Sequence, residues 1–178
     1  MLKILLFLVI FLSSEYLYSQ SDDSDWTNIN LQSGDFPGCN SFVTPGYDYS
    51  LNNYLSVYLG GSTDLVLKLI DTKTEKCIRY VFIKNGDTYY IKNVPQGTYY
   101  LKLSFGNNWS KIGSGTLCFA KFKDNVLYQK GEEILDFNII KYPNGYEIPS
   151  FSLHLEVISN NRNNEFQSEE ISEEEFYK

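Results

Sequence analysis

A chain of 178 residues, with 43% hydrophobic and 16% aromatic residues, is long enough to bury the core of one domain and little more. Fifteen basic residues against 22 acidic ones, a net charge of −7, provide no basic stripe to displace the counterions of a polyanion, which excludes nucleic acid as a partner. The single histidine excludes a His-rich metal site, and no Cys-x-x-Cys pair exists for a zinc ribbon or a thiol redox motif.

Residues 1–20 read as a secretory signal. Lys3 supplies the charged start, Ile4 to Leu12 an unbroken apolar run, and Tyr18-Ser19-Gln20 a polar exit with cleavage expected after Gln20. The run is shorter than the roughly 20 residues that span a hydrocarbon core. The expectation is a secreted, periplasmic or cell-surface protein without a transmembrane segment in its mature part. Residues 21–49 are rich in Asp, Ser, Gly and Pro and form an extended lead-in, with one strand expected at Trp26–Leu31. Asp22, Asp23 and Asp25 lack the spacing and central glycine of a calcium loop, so they read as a solvated new N-terminus.

Residues 50–158 read as strands nearly throughout. Side chains of a strand alternate between faces, and the apolar residues do so at Leu65/Leu67/Leu69, Tyr80/Phe82, Tyr99/Leu101/Leu103/Phe105, Leu117/Phe119 and Phe151/Leu153/Leu155/Val157. Turn signals separate these runs at Gly60-Gly61-Ser62, Asp71–Glu75, Asn85-Gly86-Asp87, Pro95-Gln96-Gly97 and Pro143-Asn144-Gly145. Asn85-Gly86 predicts a hairpin between Cys77–Lys84 and Thr88–Val94. Residues 107–115 read as a loop that carries Trp109. Regular short strands between turns predict an all-β, antiparallel sandwich or barrel. Residues 159–178 hold six acidic and two basic residues and few apolar ones. That composition predicts a disordered tail, with a short helix at Glu169–Phe176 as the one element it allows.

Tyr89, Ile91, Asn93, Val94, Pro95, Gly97, Tyr99 and Leu101 fit one pattern: a strand, a turn built on Pro95 and Gly97, and a second strand. This segment resembles the signature of carboxypeptidase regulatory-like domains, and the B-type repeats of bacterial collagen adhesins look similar. The resemblance implies a prealbumin-like (transthyretin-like) Greek-key β-sandwich. It also implies an extracytoplasmic accessory module, usually non-catalytic and without a cofactor. Some adhesin repeats carry a Lys–Asn isopeptide bond, but no such pair with an acidic catalyst stands out here. The motif's own residues Pro95, Gly97 and Tyr99 serve the turn and the inner face.

Cys39, Cys77 and Cys118 allow either one disulfide with one thiol left over, in any of three pairings, or three buried thiols. His154 falls on the polar face of its strand with Ser152 and Glu156, and reads as a solvated residue rather than a base. Glu132, Glu133 and Asp136 are close in sequence, but neighbours on a strand point to opposite faces and cannot form a hydrolytic pair from one face. Tyr47, Tyr49, Tyr54, Tyr58, Tyr90, Tyr100, Trp109 and Tyr146 exceed what one core hides easily, and rings can stack on sugars or anchor interfaces. Of these, Tyr90, Tyr100 and Trp109 are the candidate ligand contacts. The expected function is a non-enzymatic binding or accessory module of the cell envelope, with an envelope protein or a glycan as partner; a carbohydrate-binding module is the alternative.

Overall fold

A computed structural model describes residues 25–38, 45–158, 161–162 and 166–178. The expected signal segment, Asp22, Asp23 and Cys39 lie outside the described residues. The strands are β1 (Thr27–Asn28), β2 (Tyr54–Gly61), β3 (Asp64–Asp71), β4 (Cys77–Ile83), β5 (Thr88–Lys92), β6 (Thr98–Ile112) and β7 (Phe119–Gly131). They continue with β8 (Leu135–Asp136), β9 (Ile140–Tyr142), β10 (Gly145–Glu147), β11 (Phe151–Ile158), β12 (Asn161–Arg162) and β13 (Ser168–Glu170), and a short helix α1 spans Glu173–Tyr177.

The fold is all-β and is not closed into a barrel. One sheet runs β13-β7-β6-β3-β4, with β1 and β8 also pairing with β6; a second runs β12-β11-β2-β5; β9 and β10 form a separate hairpin. Pairing is antiparallel with one exception: β11 lies parallel to β2, with Phe151 opposite Leu55 and Leu155 opposite Leu59. The expectation of a wholly antiparallel arrangement is corrected there. The strands involved are far apart in sequence, and no turn signal constrains their relative direction.

The two large sheets share one core. Leu55, Val57 and Leu59 from β2 meet Leu65, Leu67 and Leu69 from β3 and Leu101, Leu103 and Phe105 from β6, all 0–1% exposed. The predicted alternation is therefore correct for this face. The connections are not all what turn chemistry implied. Asn85-Gly86 does make a tight turn, with the Asp87 amide donating to the Lys84 carbonyl at 3.1 Å. Its flanking strands nevertheless diverge: β4 pairs with β3, and β5 with β2. The predicted hairpin is a crossover between sheets, with Ile91 of β5 paired opposite Leu55 of β2 and buried in the shared core. The Pro95–Gly97 turn is likewise a crossover, carrying the chain from β5 in one sheet to β6 in the other.

The structure also departs from expectation in the faces it buries. Val66, Phe82, Trp109, Ala120, Phe122, Tyr128 and Phe176 form a second apolar cluster on the outer side of the large sheet. That sheet is buried on both faces. Ile29 and Leu31 of the lead-in and Ile171 and Tyr177 of the tail pack against the cluster. Residues 107–112 belong to β6 rather than to a loop, past a register shift between Phe105 and Asn107. Trp109 is 2% exposed, and its indole N–H donates to the Pro37 carbonyl at 3.1 Å.

The acidic tail, expected to be disordered, carries β12, β13 and α1 in its described part, and the helix expected at Glu169–Phe176 begins only at Glu173 because Ser168–Glu170 pair with β7. Composition misjudged it because four residues do the burying. Phe166 packs in the inner core and closely against Gly131, where a β-carbon would collide with its ring; Phe176 is fully buried in the outer cluster, and Ile171 and Tyr177 lie beside it. Ser172 caps α1 by accepting from the Glu175 amide at 3.1 Å, and the three glutamates of the first turn suit the helix N-terminus. A five-residue helix has no stability of its own in water, so tertiary contacts hold it.

Candidate functional site

The crossover after β5 is tied down by buried polar groups. Asn93 sits at φ 56°, a left-handed conformation that asparagine tolerates. Asn53, 1% exposed, donates to the Val94 carbonyl and accepts from the Val94 amide, both at 2.8 Å. The Tyr99 hydroxyl donates to the Pro95 carbonyl at 3.0 Å. Gly97 is required because a β-carbon there would sit 2.9 Å from the Tyr99 oxygen. Arg79, on β4 and 4% exposed, spreads its guanidinium over the carbonyls of Gly46, Ile78, Lys92 and Asn93. It thereby joins the edge of one sheet to the end of β5 in the other. Pro95, Gly97 and Tyr99 are structural in this arrangement.

The three candidate ligand contacts separate. Trp109 is core, as above. Tyr100 is 9% exposed, and its hydroxyl donates to a Glu75 carboxylate oxygen at 2.6 Å. Neither offers a ring face to solvent, because the second apolar cluster and the tail cover that side of β6. Tyr90 is 48% exposed on β5.

Around Tyr90 the outer face of the four-stranded sheet collects further rings. Residues Tyr54, Ser56 and Tyr58 point outward from β2, between the inward Leu55, Val57 and Leu59. Tyr54 meets Tyr90 edge to face, with centroids 5.5 Å apart and planes at 73°. Tyr58 packs on His154 at 4.4 Å, its directly opposite neighbour in the parallel pairing. The His154 ring lies 3.4 Å from a Glu156 carboxylate oxygen and is solvated, as its strand position predicts. Lys92 stands opposite Tyr54 on β5. The face therefore presents tyrosine, histidine and single charges of both signs to solvent. A second exposed aromatic pair is Tyr47 and Tyr49, stacked at 5.5 Å with planes 10° apart, with the Arg79 guanidinium 3.8 Å below the Tyr47 ring. Tyr54 and Tyr58 were legible as residues four apart on one face of a strand; their juxtaposition with Tyr90 and His154 needed the pairing of β2 with both β5 and β11.

The remaining candidates have local roles. Asp136 accepts from the Asn138 backbone amide at 2.9 Å in a turn. Glu132 and Glu133 are exposed beside it. Cys77 is a free thiol and Cys118 is disulfide-bonded. Among the described residues no group of three His, Cys, Asp or Glu is placed to hold a metal ion.

A cavity of about 940 Å³ opens where α1 meets the large sheet, and Lys68, Tyr80, Tyr100, Lys102, Phe119 and Tyr177 are among the residues that line it. Lys68 stands with its ammonium 4.6–5.2 Å from the rings of Phe176, Tyr80 and Tyr177, and donates to the Phe176 carbonyl at 2.8 Å. Lys102 donates to the Glu175 carbonyl at 2.5 Å. The two lysines satisfy carbonyls at the C-terminal end of α1, where the helix dipole favours positive charge. Burial lowers the Lys68 pKa to about 8 and raises the Cys77 thiol to about 11.

These shifts give stability a definite pH dependence. Between about pH 8 and 9 the fold has shed a Lys68 proton that the unfolded chain keeps, so stability rises with pH, by up to about 1 kcal/mol across that unit. Above pH 9 the unfolded Cys77 loses a proton that the fold retains, and its contribution declines through about pH 11. Denaturant titrations across pH 7.5–9 should show the rise in the native chain and a clearly smaller one in Lys68→Met, where only the likewise lowered Lys102 remains.

No protein family, curated protein or solved structure matches this chain.

Proposed function

We propose that the protein is a secreted, non-catalytic accessory or binding module of the cell envelope, built as a prealbumin-like β-sandwich. The observation that carries this reading is the solvent face of the four-stranded sheet, where Tyr54, Tyr90, Tyr58 and His154 lie together. Tyrosine presents a large rigid apolar body with a polar tip at low entropic cost, which suits it to anchoring a protein partner. The edge-to-face packing of Tyr54 and Tyr90 breaks the surface into a corrugated patch, and such relief favours a shaped protein surface over a flat sugar ring. The leader at residues 1–20 supports an extracytoplasmic setting. A carbohydrate-binding reading has one observation in its favour, the exposed and parallel rings of Tyr47 and Tyr49.

The two readings are separated by substituting each aromatic group alone. In Tyr54→Ala/Tyr90→Ala, capture of an envelope protein by the immobilised chain should fall at least tenfold while the melting curve stays unchanged. Glycan-array signal that disappears in Tyr47→Ala/Tyr49→Ala, with no envelope protein captured by the native chain, would replace the first reading by the second.

A further inference from the structure

The tail is bound to the large sheet in the manner of a peptide ligand. β13 extends the sheet by antiparallel pairing with β7, Glu169 opposite Lys130 and Glu170 opposite Gln129. Phe176 then inserts into the outer apolar cluster against Tyr128, with ring centroids 5.3 Å apart. Charge complements shape. The tail offers Glu169, Glu170, Glu173, Glu174 and Glu175; the sheet offers Lys68, Lys102, Lys121 and Lys130. Lys121 pairs with Glu173 at 2.9 Å and Lys130 with Glu169 at 3.5 Å, while Lys68 and Lys102 take main-chain carbonyls of the helix.

A cleft of about 940 Å³, partly open to solvent, borders α1. The contacts at this seat are a short strand pairing, Phe166 at the inner core, Phe176 with Ile171 and Tyr177 at the outer cluster, and sheet lysines on tail carboxylates and carbonyls. The tail's half of each contact lies within residues 166–178.

We propose that this groove is a peptide-docking surface whose occupant in trans is the tail of a second copy, so that copies of the chain can exchange residues 166–178. Every contact made in cis is available unchanged from a neighbouring copy, which is the condition for segment exchange. The opposing factor is tethering, which gives the cis tail an effective concentration on the order of mM. Exchange therefore becomes appreciable where the chains are crowded to a similar concentration.

The test uses two full-length chains, one carrying Lys121→Cys and the other Glu173→Cys, mixed across a concentration series and treated with a short bis-maleimide. Both positions are partly exposed, and the pair they replace is a surface ion pair of little weight for folding. A cross-linked heterodimer should form at about tenfold or more above a control mixture of Lys121→Cys with Glu147→Cys, and should increase as the concentration approaches the mM range. Adding Phe176→Ala to the Glu173→Cys chain should abolish it. Heterodimer at the control level throughout the series overturns the proposal, as does heterodimer that survives the loss of Phe176.

Discussion

Phe176→Ala is expected to lower the stability of the whole chain by about 3–5 kcal/mol, the usual cost of truncating a fully buried phenylalanine. Phe176 has no solvent exposure, although three glutamates directly precede it. It contacts the rings of Tyr128 and Tyr177 and lies under the Lys68 ammonium. Its loss leaves a void beside Tyr128 and Tyr177 and loosens the helix whose Phe176 and Glu175 carbonyls accept from Lys68 and Lys102. For a domain of this size the melting midpoint should drop on the order of 10 °C. Glu173→Gln is the control. It removes only a partly exposed ion pair and should change stability by less than about 1 kcal/mol. Thermal denaturation of both variants decides the matter: equal melting points for Phe176→Ala and the native chain would mean that the tail is not seated on the sheet in solution.

Arg79→Met should cost a similar amount, about 3 kcal/mol or more, for a different reason. The methionine fills part of the volume but donates nothing, so the carbonyls of Gly46 and Lys92 lose a charged donor in a part-buried site, and that of Asn93 is left with the Asp48 amide alone. Each buried acceptor left without a partner costs about 1–3 kcal/mol. Arg79→Lys should recover only a fraction, because one ammonium cannot occupy the positions of both guanidinium nitrogens. The loss should be concentrated at the junction between sheets. Amide exchange would quicken first at Asp48 and Val94, whose N–H groups are bonded to the Asn93 carbonyl and the Asn53 side chain. Full native stability in Arg79→Met would show that the buried guanidinium is not the tie between the sheets.

The strand content and the inner core were legible because they depend on a local property. Leu65/Leu67/Leu69 and Tyr99/Leu101/Leu103/Phe105 alternate with period two, and that period is dictated by the geometry of a single strand. His154 was placed on the solvated face by the same rule. The second core had a local signal too, which simple alternation hides: Leu65 to Ile70 is apolar at every position except Lys68, the mark of a strand covered on both sides. The candidate ligand residues Tyr100 and Trp109 fell on the side of β6 that this second layer covers, so their ring chemistry goes into packing.

By itself the sequence determined most of the strands, where the chain turns, the inner face of β2, β3 and β6, and that the end of the tail can form a short helix. Only the tertiary structure decided which strands pair, that the Asn85-Gly86 and Pro95–Gly97 turns cross between sheets, that β11 runs parallel to β2, and that the acidic tail is covered sheet rather than free chain. The division follows from range. Alternation, turn dihedrals and helix capping are set by neighbours a few residues away, whereas pairing and coverage are set by which apolar surfaces remain to be buried once the whole chain has collapsed, and burial has no preferred direction or sequence separation. Phe176 shows the difference in a single residue: glutamates precede it directly, and a sheet assembled from residues 64–131 encloses it.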